Sequence, residues 1–142
     1  MASEFEELWR TAWQVRANAY VPYSNYPVGA ALLSSDGKIW SGCNVENVSF
    51  GLTMCAERNA IFQMVAGGSQ SIRSVVLATK DGATPCGACR QVLAEFAESP
   101  DMVIVCGSED GQYSEFTLEA LFPDGFSSQA VGRTDDPAGE SY

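Results

Sequence analysis

The sequence predicts an α/β protein, a three-layer α/β/α sandwich around a central mixed sheet of about five strands. Three observations predict it. Apolar residues at helical spacing alternate with short β-rich runs, in the order helix, two strands, helix, strand, helix, strand, strand. The second and third helical segments each stand between strands, as crossovers that lay helices on the faces of one sheet. A chain of 142 residues, 46% hydrophobic and 18% charged, is enough for one core and not for two. The expected organisation is one domain over residues 1–126, followed by a polar tail over 127–142.

The elements follow in order. Residues 3–20 read as a helix: Ser3, with Glu6 three residues on, forms a capping box, and Phe5, Leu8, Trp9, Ala12, Trp13, Arg16 and Ala19 recur at helical spacing. Two prolines, a serine and an asparagine make residues 21–27 a loop. The runs 28–33 and 38–43 flank Asp36-Gly37 and read as a hairpin. Residues 44–54 are polar and irregular. A helix over 55–66 stops at Gly67-Gly68. A strand over 72–79 leads to the Asp81-Gly82-Ala83 turn, and a helix over 86–97 opens with Thr84 and Pro85 at the cap and first turn. Strands over 102–106 and 112–116 and a short helix over 117–121 complete the domain. Beyond Ser127 the chain loses all period, and its last residues are expected to be mobile.

Composition removes several function classes. Eight basic against 18 acidic residues give a net charge of −10, which repels polyanions and argues against nucleic acid polymers and anionic membranes as partners. No apolar run approaches the ~18 residues of a membrane span. The opening MASEFEELWR lacks the basic-then-apolar pattern of a secretory signal. An odd count of five cysteines without such a signal places the chain in the reducing cytoplasm, without a disulfide framework. The chain has no histidine, which excludes Ser-His-Asp triads, Cys-His dyads and His-based metal sites. A proton shuttle here has to be a carboxylate, Lys, Tyr or Cys.

The chemistry concentrates in the cysteines. Cys86 and Cys89, in P-C-G-A-C, lie one turn apart on one face at a helix start, where the helix dipole stabilises thiolates. Cys55 opens the preceding helix in the same way, in T-M-C-A-E-R. Two such helix starts at one end of a sheet bring three thiolates to one point. Zinc suits them, and three ligands leave a position open, as in catalytic rather than structural sites. Glu57, two residues after Cys55, is the candidate general base, and Arg58 is placed to hydrogen-bond sulfur and offset its charge. On spacing alone other readings stay open: a redox Cys86–Cys89 pair, or a closed structural zinc with Cys43 or Cys106 as fourth ligand, as in a binding module without turnover.

C-A-E-R together with P-C-G-A-C-R-Q-V resembles the small zinc-dependent cytidine deaminases of pyrimidine salvage. The resemblance runs over about residues 8–126 and includes A-Y-V-P-Y-S-N-Y-P-V-G-A-A-L, G-C-N-V-E-N, G-L-T-M-C-A-E-R-N-A-I-F and L-F-P-D-G-F. It implies that Cys55, Cys86 and Cys89 hold one Zn²⁺ per chain and that Glu57 shuttles protons, the general scheme of zinc deaminases. It further implies that Asn44 and Glu46 hydrogen-bond the ribose 3′-hydroxyl, that the Ala56 N–H meets the pyrimidine, and that Arg58 bonds a ligand sulfur. Tyr26 stands where the family usually has the Phe that packs on the base, and Phe50 where Tyr is frequent. Phe126 matches an aromatic that reaches a neighbouring subunit's site in a homotetramer. The implied activity is hydrolytic deamination of cytidine and 2′-deoxycytidine, with little on CMP and none on polymers. Deamination of another aminated heterocycle is the rival reading, because nothing in the sequence identifies the leaving group at C4.

Overall fold

The computed structural model describes residues 1–128, 131 and 132. Its elements are α1 (Ser3–Arg16), β1 (Gly29–Ser34), β2 (Ile39–Cys43), α2 (Ala56–Ala66), β3 (Ile72–Ala78), α3 (Gly87–Phe96), β4 (Val103–Gly107), β5 (Tyr113–Thr117) and α4 (Leu118–Leu121), with a 3₁₀ turn at Phe50–Leu52. The strands form one mixed sheet in the order β2-β1-β3-β4-β5. Only β3 and β4 pair in parallel; β1 pairs antiparallel with β2 and β3, and β4 with β5. The parallel pair is the one joined through a helix, as a crossover requires.

Alternation along the strands builds two cores. Ala31, Val76, Ala78 and Val105 face α1, meeting Phe5, Leu8 and Ala12. Ala30, Leu32, Val75, Leu77, Ile104 and Cys106 face the opposite side, under Ala56, Ala60, Ile61 and Met64 of α2 and Leu93 of α3. The expected three layers are therefore present, with α1 alone on one face. Each fully buried Leu or Ile contributes about 1.5–3 kcal/mol.

Two glycines let helices sit directly on the sheet. A Cβ on Gly29 would lie 2.1 Å from the Ala12 carbonyl oxygen of α1. One on Gly42 would lie 2.5 Å from the Ala60 nitrogen and 2.7 Å from the Ala56 oxygen, so β2 meets the backbone of α2 without an intervening side chain.

Three local expectations are corrected. Ala2, not Ser3, occupies the N-cap of α1, and no side chain caps it, so the Ser3–Glu6 capping box does not form. The helix ends at Arg16 rather than near residue 20, because the Tyr20 N–H donates to the Asn44 carbonyl while the Tyr20 carbonyl accepts from Glu46 N–H. These bonds draw the chain out of the helix and against the 44–54 loop. The N-cap of α3 is Cys86, whose sulfur accepts from the Cys89 N–H, so Thr84 and Pro85 precede the helix. Residues 129, 130 and 133–142, most of the expected mobile tail, lie outside the described residues.

Candidate active site

Cys55 is the N-cap of α2 and Cys86 the N-cap of α3, with Cys89 in the first turn of α3. Both helices start at the end of the sheet where β3 finishes and β1 begins. The three sulfurs lie within 4.8 Å of one another, and Cys55 Sγ stands 3.9 Å from Cys86 Sγ. Zinc–sulfur bonds of about 2.3 Å meeting tetrahedrally place sulfurs about 3.8 Å apart, so this donor set fits zinc. Cys43 and Cys106 are not part of the cluster. Cys106 lies buried in β4, and its thiol is pushed up to about 12 by burial. A fourth protein ligand is thus missing among the described residues, and one coordination position stays open.

Protons are shared unevenly among the thiols. The hydrogen bond from Cys89, helped by Arg58, draws Cys55 down to about 5 against the effect of burial. Cys89, which donates that bond, is pushed far up by it, by its own burial and by the nearby Glu57. An Arg58 Nη donates to Cys55 Sγ at 3.2 Å, and this bond holds the guanidinium still more firmly protonated. Arg58 Nε is buried without a partner among the described residues.

Glu57, the second residue of α2, is 5% exposed. Burial raises its pKa above that of an ordinary carboxylate; a hydrogen bond from Cys89 opposes the shift and the Cys55 charge adds to it. A cleft of about 440 Å³ is lined by Cys55, Ala56, Glu57 and Cys86 together with Tyr26, Asn44 and Glu46. Ala56 is the first residue of α2, so its N–H has no acceptor within the helix and is free to meet a ligand.

Asn44 and Glu46 are already engaged with the 21–27 loop. Asn44 donates to the Tyr26 carbonyl and accepts from Val28 N–H, both at 2.9 Å. One Glu46 oxygen accepts from the N–H groups of Tyr23 and Ser24, at 3.0 and 3.1 Å. Each keeps an unused hydrogen or oxygen for a ligand. Phe126 is not brought to this cleft: it is 64% exposed and lines a separate hollow beside α4.

Further residues shape the cleft. Thr79 closes β3 and lines the cleft; its hydroxyl accepts from Gly82 and Ala83 N–H at 2.8 and 3.0 Å, shaping the loop that leads to Cys86. Arg90 donates to Pro85 O, Leu121 O and Thr84 Oγ1, tying that loop to α4. Val28, Thr53 and Leu77 supply apolar wall. Thr79 sits between a β-rich run and an Asp-Gly turn, a position where a hydroxyl commonly bonds turn N–H groups, and that is the one signal the sequence offered for it.

A family model described as the cytidine and deoxycytidylate deaminase zinc-binding region matches residues 2–106. The chain belongs to the cytidine and deoxycytidylate deaminase family. It is 44% identical over 128 residues to a cytidine deaminase of Sporosarcina psychrophila, covering 89% of this chain and 93% of that one. To a cytidine deaminase of Mycobacterium tuberculosis it is 44% identical over 119 residues, covering 81% and 84%. Its structure resembles the crystal structure of cytidine deaminase from Burkholderia pseudomallei, with a TM-score of 0.81 and 39% identity, covering 89% of this chain and all of that one. Membership makes the chain a zinc enzyme, and the three-cysteine cluster fits one ion per chain.

Proposed function

We propose that this chain deaminates cytidine and 2′-deoxycytidine hydrolytically, releasing ammonia and leaving uridine or 2′-deoxyuridine. The observation that carries the reading is a buried carboxylate, Glu57, beside a three-thiol cluster that fits zinc, in one cleft. The named relatives are cytidine deaminases, which supports cytidine as the substrate.

The roles are those the family resemblance implies. Cys55, Cys86 and Cys89 would hold zinc, which when bound would supply Lewis acidity and an activated water. The Glu57 carboxylate would accept one proton of the attacking water and deliver it to N3 of the base, which makes C4 electrophilic as the water oxygen adds there. Glu57 would then take the proton of the new C4 hydroxyl and pass it to the amino nitrogen. The C4–N4 bond breaks, ammonia departs, and the product keeps a C4 carbonyl and an N3–H. A pKa raised by burial suits a group that must both take and give a proton. Tyr26 packs on the base, the Ala56 N–H meets the ring, Asn44 and Glu46 take the ribose 3′-hydroxyl, and Arg58 holds Cys55 in place.

A neutral nucleoside fits this cleft better than a nucleotide. No lysine or arginine lines it among the described residues, and the Glu46 carboxylate would repel a phosphate. An ammonia-release assay on cytidine, 2′-deoxycytidine, CMP and single-stranded DNA tests the reading. Turnover of the two nucleosides alone is expected, and CMP turnover equal to that of cytidine would overturn the assignment of the phosphate end.

The chain is further read as a cytoplasmic homotetramer of pyrimidine salvage with Phe126 completing a neighbour's site. Val48, Phe50 and Leu52 are 79%, 73% and 68% exposed, an apolar fringe that suits burial between copies. Five free cysteines suit a reducing compartment, and no helix among the described residues is long and apolar enough to cross a membrane. An active monomer in light scattering would overturn the shared site. The catalytic domain is taken to end at Phe126, whose carbonyl accepts from Gln91. Removal of 129–142 is expected to leave turnover intact.

A further inference from the structure

One polar contact at the cleft joins two segments far apart in sequence. The Tyr26 hydroxyl donates to a carboxylate oxygen of Asp81. Tyr26 belongs to the loop before β1 and Asp81 to the loop between β3 and α3, which carries Cys86 five residues on.

Each end of this tie is itself fixed. On the Tyr26 side, Asn25 adopts a positive φ of 55°, the Tyr26 N–H donates to Ser24 Oγ at 3.0 Å, and the Tyr26 carbonyl accepts from Asn44. Pro27 follows and restricts Tyr26 to extended backbone. On the Asp81 side, Gly82 turns with a φ of +75°, Thr79 Oγ1 holds Gly82 and Ala83, and residue 81 bridges to Ser108 beside β4. What the backbone leaves free is the rotation of the Tyr26 ring, and the Asp81 carboxylate takes its far end. The ring then stands as a wall of the cleft that also contains Cys86 and Glu57.

We propose that Asp81 is a positioning residue for the deamination: acting through the Tyr26 hydroxyl, it fixes the aromatic wall on which the base packs relative to the loop of the zinc ligand Cys86. The inference rests on the proposed function, which makes Tyr26 the base-packing side chain. It also accounts for tyrosine at this position. The hydroxyl is turned to Asp81, so the cleft receives a flat carbon face.

The test is steady-state deamination of cytidine by the zinc-loaded full chain and its variants. Tyr26→Phe and Asp81→Ala are each expected to raise KM by roughly 3- to 10-fold, the worth of one hydrogen bond, with kcat within about two-fold. The double variant should be no worse than the poorer single one, because both remove the same bond. Asp81→Asn keeps an acceptor oxygen and should recover most of the KM lost in Asp81→Ala. An unchanged KM in Asp81→Ala overturns the inference. So do effects that multiply in the double variant, or a fall in thermal stability and kcat at constant KM. Wild-type protein that leaves cytidine untouched overturns the functional reading and this inference with it, whereas active wild type with an indifferent Asp81→Ala overturns the inference alone.

Discussion

The two faces of the sheet are built from the same strands by the same alternation, yet only one is chemical. On the α1 face, Leu8 and Ala12 press on Val76 and Val105, and the helix begins without a capping side chain. On the other face, α2 and α3 both begin at one end of the sheet, and the residues at their starts are Cys55, Glu57, Cys86 and Cys89. Apolar burial is common to both. The difference lies in two adjacent helix starts, where uncommitted N–H groups and aligned dipoles favour thiolates and leave room for a ligand. Packing makes a face stable, and converging helix ends make it reactive.

The comparison is broken most severely at Glu57. Glu57→Gln keeps the shape and the zinc but cannot cycle a proton. Turnover should fall by about 10²–10⁴-fold with metal content unchanged, as read by cytidine assay and elemental analysis of the same sample. Near-normal turnover in the zinc-loaded variant would remove the chemical distinction between the faces.

One change on each face separates stability from chemistry. Leu8 is fully buried between α1 and the sheet, so Leu8→Ala should cost about 2–5 kcal/mol of stability by denaturant titration while kcat of the folded, zinc-loaded enzyme stays near wild type. Gly42→Ala drives a Cβ to 2.5 Å from the Ala60 nitrogen and displaces α2. It should cost about 1–3 kcal/mol and, unlike Leu8→Ala, lower kcat as well, because Cys55 and Glu57 move with the helix.

Arg58→Ala sharpens the comparison within the reactive face. It removes the donor to Cys55 Sγ and should reduce zinc affinity or activity by about 10–100-fold, measured by competition with a chelator and by cytidine assay.

The smallest effect is in acid. Hydrogen bonds from Ser34 and Ser69 hold Asp36 below its ordinary value of 3.8, and Tyr26 does the same for Asp81. Glu46 is held below 4.5 by contacts with Ser24 and Tyr23. A lowered folded pKa contributes stability that is present above the unfolded value and lost as pH falls through the folded one. Thermal melts should therefore decline modestly below pH 4.5. Replacement of Asp81 by Ala should flatten that decline more than replacement of the surface residue Glu4, for which no partner is seen among the described residues.

How much of this was legible in the sequence depended on range. The three cysteines and Glu57 stand within motifs of a few residues: helical spacing puts Cys86 and Cys89 on one face, and only the shared sheet end brings Cys55 to them. Strand and helix bounds fall within a residue or two where local pattern sets them. The end of α1 was not legible, because the bonds that stop it come from residues 44 and 46. Nor was the N-cap of α3: Thr84-Pro85 resembles a cap and first turn, but Arg90 takes the Thr84 hydroxyl and the Cys86 sulfur takes the capping role. The Tyr26–Asp81 pair spans 55 residues, and no local pattern announces it. Phe126 matched a family motif, yet in the single chain it lies away from the cleft and lines a separate hollow beside α4.

The meeting of Cys55 and Cys86 has a topological side as well. Their separation in sequence is 31 residues, so a zinc ion held by both acts as a reversible cross-link around a closed loop containing α2 and β3. By the chain-entropy relation for cross-links, closing such a loop is worth roughly 3–4 kcal/mol. The segments outside the ring, α1 with the first hairpin and β4 with β5, share no such restraint. A metal-loaded molecule should therefore fray from its two ends inward, and a chelator should convert that graded opening into a single lower-temperature transition.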